Sequence, residues 1–331
     1  MPWRRTMDPY KIYLSEIILQ QTRIEQGTSY YLRFIERFPT IYSLATATAE
    51  EVLKLWQGLG YYSRARNLHE AAKIVVSQYN GKIPNSYNEL KKLRGVGNYT
   101  AAAIASIAFA EPVAVVDGNV MRLLTRIYNI NAPINKQSTH REISKLANDL
   151  IEKEAPGDFN QAMMELGALI CTPKNPKCTL CPLNDECQSF SKGLVELLPV
   201  KEKKAPPQIR YFHFFYILYN DEIYIQKRNN KDIWQSLYEF PQVETEKAKG
   251  KNLKSIQNLI DKNYGPNFLA IKKEISVFKH QLTHQTIQAR FFEASPAAAF
   301  KPLPNWLAIA KEKIIEFPVS RLTDKFLSYQ K

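Results

Sequence analysis

Four cysteines, Cys171, Cys178, Cys181 and Cys187, fall on one short stretch with the spacing C-x6-C-x2-C-x5-C, and the chain has no other. Four thiolates on one loop can hold a metal centre. Zinc takes them tetrahedrally, ordinarily through two paired knuckles. Only one C-x2-C pair is present here. Unequal outer arms suit a bulkier iron–sulfur cube, which four-cysteine sites also hold. Two disulfides are the third alternative. The opening Met1-Pro2-Trp3-Arg4-Arg5 lacks the apolar core of a secretory signal. The expected compartment is therefore the cytoplasm, where disulfides are rare. No organic cofactor is expected.

Other residues could do chemistry too. Leu93-Arg94-Gly95-Val96-Gly97-Asn98-Tyr99-Thr100-Ala101 reads L-x-G-V-G-x-x-T-A. Gly95 and Gly97 allow backbone N–H groups to converge where a helix begins, a nest suited to a phosphate. With the helical run Tyr87–Lys92 ahead of it, the segment from about 86 to 110 is a helix–hairpin–helix, which grips a DNA backbone without reading sequence. Asp117, in Asp117-Gly118-Asn119-Val120, immediately precedes a helix and so is an N-cap. It is also a candidate carboxylate at the mouth of a DNA groove. Glu16 sits among Leu14, Ile17, Ile18 and Leu19. A helix carboxylate is ordinarily solvated, but burial there would raise its pKa and keep it protonated.

These groups must be positioned by short helices. Apolar faces run over Leu14–Leu19, Leu32–Phe38, Val52–Trp56, Leu68–Val76, Thr100–Ala110, Val120–Ile127, Ile143–Ile151 and Phe159–Ile170. Joined by Gly/Pro turns, they predict a compact all-helical domain over 1–194. A basic, proline-rich linker, 195–209, follows, with Pro199, Lys201, Lys203, Lys204, Pro206 and Pro207. Beyond it, 210–331 predicts an α+β domain. Tyr211–Tyr219 and Glu222–Lys227 form a hairpin across Asn220-Asp221, and Ile271–Phe278 pairs with Thr286–Phe292. Leu253–Asn263 and Arg321–Tyr329 read as helices.

Charge points to the partner. The net charge is +13, with 45% hydrophobic residues. Such a basic excess fits a polyanion, most simply nucleic acid, and the composition excludes disorder. Residues 1–200 carry 23 Lys+Arg against 19 Asp+Glu, and 201–331 carry 22 against 13, so the second part is the more basic. No apolar run approaches the roughly 18 residues of a membrane span.

The hairpin, the later Asp and the cysteine loop together resemble the endonuclease III-like helix–hairpin–helix DNA glycosylase superfamily. Within it the chain resembles the MutY family of adenine DNA glycosylases. The resemblance runs through Trp3-Arg4-Arg5, Ser15–Thr22 (SEIILQQT), Gly58–Arg64 (GLGYYSR), Asp117–Val120 and Phe159–Gly167 (FNQAMMELG). It implies one 4Fe-4S cluster on Cys171, Cys178, Cys181 and Cys187. It makes Glu16 the general acid and Asp117 the stabiliser of the sugar cation, with Tyr99 and Asn119 holding them. Gln161, Arg4 and Trp3 would surround an extruded adenine, and Gln21 and Tyr61 would fill the gap it leaves. Lys174 and Lys177 would meet phosphates. Bifunctional relatives carry a hairpin Lys that forms a Schiff base. This chain has Tyr99 there and no lysine between Lys92 and Asp117, so base removal alone is expected.

The second domain resembles the Nudix-like lesion-recognition domain of that family through Gln226-Lys227-Arg228, Trp234, Leu237–Pro241 and Phe317–Ser320. The acids Glu244, Glu246 and Asp261 are scattered, without the R-E-x-x-E-E helix of a working Nudix enzyme, so nucleotide hydrolysis is not expected. Two departures stand out. The family's Phe-Ser-His loop is Leu282-Thr283-His284 here. The sequence opens two residues ahead of Trp3, where relatives carry a further helix; a late start site and a truncation are both open, and a true absence is expected to uncover part of the cluster region.

The expected partner is duplex DNA with adenine opposite 8-oxoguanine or guanine, bound by a monomer associated with a bacterial-type nucleoid. The rival readings are a glycosylase for mismatched thymine and a catalytically silent damage sensor.

Overall fold

The computed structural model describes residues 1–202, 206–245 and 252–330. Lys203 and Lys204 of the linker, and Glu246, lie outside the described residues. The chain divides into two compact units, one of Met1–Ala47 with Arg66–Lys204 and one of Thr48–Ala65 with Ala205–Lys331.

Eleven α-helices precede the sheet among the described residues: α1 (Pro9–Leu19), α2 (Ile24–Arg37), α3 (Ile41–Thr46), α4 (Ala49–Trp56), α5 (Ser63–Gln78), α6 (Tyr87–Leu90), α7 (Asn98–Phe109), α8 (Gly118–Ile127), α9 (Gln137–Leu150), α10 (Pro156–Leu169) and α11 (Gln188–Ser191). Helix α1 starts where Asp8 accepts a bond from the Tyr10 amide and Pro9 supplies a preset first turn. Its buried residues, Tyr10, Ile12, Tyr13, Leu14, Ile17 and Ile18, lie all around it. A helix apolar on every side belongs inside a domain. It packs on α7, whose Ala101, Ala102, Ala103 and Ala105 permit close approach.

Helices α8 and α10 pack together as tightly. A Cβ on Gly167 would lie 2.8 Å from both Cβ and the carbonyl oxygen of Asn119, so glycine is required at that crossing. The cysteine loop follows α10 directly. Residues Ile134 and Asn135 bond the backbone of Val200 and Glu202, so the start of the proline-rich stretch is tied to the helical unit.

The second unit is built on strands β1 (Gln208–Tyr219), β2 (Glu222–Lys227), β3 (Tyr238–Glu239), β4 (Gln242–Thr245), β5 (Leu269–Gln281), β6 (Gln285–Pro296) and β7 (Trp306–Ala310). The order is β3-β2-β1-β6-β5, with β4 paired to β1 and β7 to β2. Strand β1 runs parallel to β6, and the other pairs are antiparallel. The β1–β2 hairpin turns at Asn220 and Asp221, both at positive φ (51 and 60), the pair of left-handed residues a two-residue hairpin demands. Side chains alternate along β1 with the period of two that a strand imposes. Phe212, Phe214 and Tyr216 join one apolar cluster, and Phe215 and Ile217 another. Helix α12 (Leu253–Tyr264) supplies Ile256 and Ile260 to the second cluster, and α13 (Arg321–Tyr329) supplies Leu322 and Phe326 to the first.

The helices, the hairpin, the β5–β6 pair and both later helices match the sequence expectation. Strands β3, β4 and β7 go beyond it. They are short, and β7 follows a stretch broken by Pro302 and Pro304, which masks its alternation.

Candidate active site and cluster loop

The turns ahead of α7 and α8 and the body of α1 bring three groups together. Glu16 projects from the middle of α1 and is 9% exposed. Tyr99 stands in the first turn of α7, and Asp117 caps α8. All three line one cleft of about 620 Å³, together with Trp3, Arg4, Asn119, Gln161, Met164 and Glu165.

Burial dominates the electrostatics. It pushes the Glu16 carboxyl up to about 7, because a charge in an apolar surround is poorly solvated. A hydrogen bond from Tyr99 and the charge of Arg4 pull down, and the charge of Asp117 pushes up again. Tyr99, buried between these carboxyls, is held well above the usual phenol range, so its hydroxyl stays a donor. It also points at Met164 Sδ at 3.7 Å.

Asp117 is fixed from several sides. Its Oδ1 accepts from the amides of Asn119 (2.8 Å) and Val120 (2.7 Å), and its Oδ2 from Asn119 Nδ2 (2.7 Å). The helix cap and the held carboxylate are therefore one arrangement. Asn119 is anchored in turn, its Oδ1 accepting from Arg122 Nη2 at 3.1 Å. Arg122 donates onward to the carbonyls of Cys171 (2.7 Å) and Gly167 (2.6 Å).

Arg4 bonds Glu165, and Trp3 packs edge-on against Tyr31 with ring centroids 5.3 Å apart. Gln161 lines the cleft from α10. Sequence reasoning missed Glu165 and Arg122. Glu165 lies inside the quoted FNQAMMELG stretch, where only Gln161 is singled out. Arg122 carried no local signal.

The remaining expected positions lie outside this cleft lining. Gln21, exposed at φ 56, forms the tip after α1. Tyr61, 49% exposed at φ 46, tips the turn after α4. Such left-handed, non-glycine tips are uncommon. Gly95 takes φ 80, and a Cβ there would sit 2.7 Å from Asn67 Cβ; Gly97 caps α7. In the second unit, Leu282 donates its amide to Gln285 O (2.8 Å) and packs against the first apolar cluster, while Thr283 and His284 are exposed. Thr283 Oγ1 hydrogen-bonds the Tyr61 hydroxyl. Glu244 is paired with Arg210, and Asp261 accepts from Gln257.

No disulfide joins the four cysteines. They ring a single cavity backed by Leu123, Ile127, Ile170 and Phe190. Arg126, 1% exposed, donates to Cys171 Sγ (3.3 Å), Thr172 O (2.8 Å) and Leu198 O (3.0 Å). It sets a cation beside the Cys171 sulfur, and its own carbonyl accepts from Cys187 Sγ at 3.4 Å, so Arg126 touches both ends of the loop. Lys174 and Lys177 are exposed, Lys177 at the edge of the cavity.

Comparison with known proteins agrees with this geometry. Residues 14–149 match the HhH-GPD superfamily of base excision DNA repair proteins, 171–187 the iron-sulfur binding domain of endonuclease III, and 213–329 the NUDIX domain. The adenine DNA glycosylase of Buchnera aphidicola subsp. Baizongia pistaciae is 38% identical over 87% of this chain and 79% of its own length. That of Buchnera aphidicola subsp. Schizaphis graminum is 36% identical over 87% and 80%. Among solved structures, a thermostable thymine-DNA glycosylase superposes with a TM-score of 0.54 at 32% identity, over 58% of this chain and 88% of that one. A non-covalent endonuclease III–DNA complex gives 0.50 at 26%, over 56% and 86%. The loop's ligand is accordingly one four-iron four-sulfur cluster, held by Cys171, Cys178, Cys181 and Cys187.

Proposed function

The chain belongs to the adenine DNA glycosylase family, and on that premise we propose that it hydrolyses the N-glycosidic bond of adenine opposite 8-oxoguanine or guanine, with Glu16 as general acid and Asp117 as stabiliser of the sugar cation. It is a DNA glycosylase, a hydrolase of base excision repair. The observation that carries the finer reading is a buried, proton-holding Glu16 sharing one cleft with a fixed Asp117.

Breaking this bond leaves an electron-rich base and an electron-poor sugar. An acid must protonate the first and a carboxylate must face the second, the division of labour of glycoside hydrolysis. Glu16 holds its proton near neutral pH, and Asp117 is braced by its own helix and by Asn119. Once the base has left, the same Glu16 carboxylate takes a proton from the attacking water. The target must first leave the base stack, and Gln21 and Tyr61 are the side chains offered to fill the gap. Arg4, Trp3 and Gln161, with Glu165, would surround the extruded ring. The second unit, which matches the NUDIX domain, would read the lesion through Leu282, Thr283 and His284. Thr283 keeps the hydroxyl that a serine would supply.

Strand cleavage after alkaline treatment tests this reading on duplexes carrying adenine opposite 8-oxoguanine, adenine opposite guanine, and thymine opposite guanine. Cutting of the first two alone is expected. Cutting at thymine would favour the mismatch-thymine reading, and no cutting would leave a silent sensor.

The cluster loop offers a separate prediction. Changing both Lys174 and Lys177 to Ala is expected to weaken damaged and undamaged duplexes alike. It should also flatten the salt dependence by about two units of log-log slope, since each phosphate contact contributes about 0.9. Titrations across a salt series would show it, and an unchanged slope would rule these lysines out.

A further inference from the structure

Two motifs singled out in the sequence, Gly58–Arg64 and Phe317–Ser320, are hydrogen-bonded to each other within the second unit. Lys54 Nζ donates to Phe317 O at 3.1 Å and to Gln57 Oε1 at 3.2 Å. Gln57 Oε1 accepts from the Val319 amide at 3.3 Å. The Tyr62 hydroxyl donates to Val319 O at 3.2 Å and accepts from the Gly58 amide at 3.4 Å. Both backbone groups of Val319 are therefore taken up by side chains of Thr48–Ala65. Lys227 of β2 pairs with Glu50 of α4.

The Phe317–Ser320 segment is itself a fixed support. Val319 bridges β3 at Tyr238, whose amide donates to Pro318 O at 2.8 Å. Ser320 caps α13. Val319 also belongs to the apolar cluster against which Leu282 packs. The turn is stiffened from within as well. Arg64 Nη2 donates to the carbonyls of Leu59 (3.4 Å) and Gly60 (3.3 Å), and its guanidinium lies 5.0 Å from the Trp56 ring and 5.8 Å from Tyr61. Tyr61 meets Thr283 at the tip. A closed path thus runs from Leu282 through the apolar cluster to Val319, Tyr62 and Tyr61, and back to Thr283.

We propose that the Phe317–Ser320 segment is the cradle that sets Tyr61 against the lesion-reading loop, which makes Tyr62, Gln57 and Lys54 positioning residues for lesion specificity. The inference rests on the proposed lesion-reading role of Leu282–His284. The reason is mechanical. Tyr61 is an exposed side chain on a left-handed tip, and its direction depends on how the turn is held. The backbone of Val319 holds it from the same unit that carries Thr283. A base opposite adenine that fits Thr283 would thereby find Tyr61 already aimed.

The test compares Tyr62→Phe and Lys54→Met with the unaltered protein. Single-turnover rates are measured with adenine opposite 8-oxoguanine and opposite guanine, alongside melting curves. Tyr62→Phe removes one oxygen and keeps the buried ring. The ratio of the two rates is expected to fall roughly tenfold for each lost bond, with the guanine-paired substrate affected less. Lys54→Arg, which retains a donor, should restore most of the ratio. A ratio unchanged in both variants, or equal slowing of both substrates, overturns the cradle while leaving lesion reading intact. No preference for 8-oxoguanine in the unaltered protein would instead overturn the lesion reading, and the cradle with it.

Discussion

Glu16→Gln is expected to slow adenine release by at least about a hundredfold, the lower end of what a positioned general acid contributes, while making the protein more stable at alkaline pH. The two effects share a cause. Glu16 is held at about 7 against an ordinary 4.5, first of all by burial. A carboxyl raised in the folded state lets stability stay whole below about pH 4.5, then loses it as pH climbs through about 7, because the folded protein must then either carry a buried charge or hold a proton that the unfolded chain releases. At pH 8 the loss is on the order of 3 kcal/mol. Glutamine keeps the shape and can still accept the Tyr99 hydroxyl, but it cannot ionise. Melting curves at pH 5 and pH 8 should therefore converge for the variant and differ for the unaltered protein. The activity side has its own pH signature. The acid must be protonated, so the single-turnover rate should fall above about pH 7. Retained excision in Glu16→Gln would remove this residue from the chemistry. A variant less stable at pH 8 would show that the carboxyl is a structural bond instead of a functional strain.

What could be read from the sequence was local. The cysteine spacing, the Gly95–Gly97 turn and the Asp117 cap each depend on residues a few positions apart, and their geometry follows from backbone rules. Glu16 was legible as a position but not as a buried acid, because its burial requires the alanines of α7, about ninety residues on, to close over α1. Arg122 and Arg126 were the least legible. Arginine ordinarily signals solvent, and here both are buried because α8 faces backbone carbonyls of the loop that follows α10. Their role is defined by a chain path that no pattern of period 3.6 encodes. The Gly58–Arg64 turn shows the same limit. Its residues stood out, but its partner is Val319, more than 250 residues away.

That path has a chemical consequence. Arg122 joins Asn119, which holds Asp117, to the carbonyl of the first cluster ligand, Cys171. Arg126 carries the connection to the Cys171 sulfur. The cluster loop and the carboxylate are thus fixed by adjacent turns of one helix. A change in the shape of the loop would move the carbonyl that Arg122 grips and, through Asn119, the Asp117 carboxylate.

Asp117→Ser and Asp117→Asn are expected to remove excision while sparing most of the fold, and together they separate the two roles of this residue. Serine and asparagine are both good N-caps, so either can accept from the amides that Asp117 Oδ1 now serves, and the helix should change by only a few tenths of a kcal/mol on that account. Neither can place a negative charge opposite a developing sugar cation. Losing such a preorganised charge costs on the order of a hundredfold to a thousandfold in rate. The variants differ at Asp117 Oδ2. Asparagine can turn an N–H₂ group toward Asn119 Nδ2, already 2.7 Å from that oxygen, and two donors cannot face each other. Asn119 cannot simply flip, because its Oδ1 accepts from Arg122. In Asp117→Ser the vacated Oδ2 position opens on the cleft, where water can accept from Asn119 Nδ2, so Asp117→Asn should cost about 1 kcal/mol of stability more than Asp117→Ser. Asp117→Ala loses the cap as well and should be the least stable of the three. Single-turnover assays with melting curves read both quantities. Excision in Asp117→Ser above about a tenth of the normal rate would reduce Asp117 to a helix cap. Inactivity in all three variants, with stability ordered Ser, Asn, Ala, would show that the cap and the charge are separable functions of one side chain.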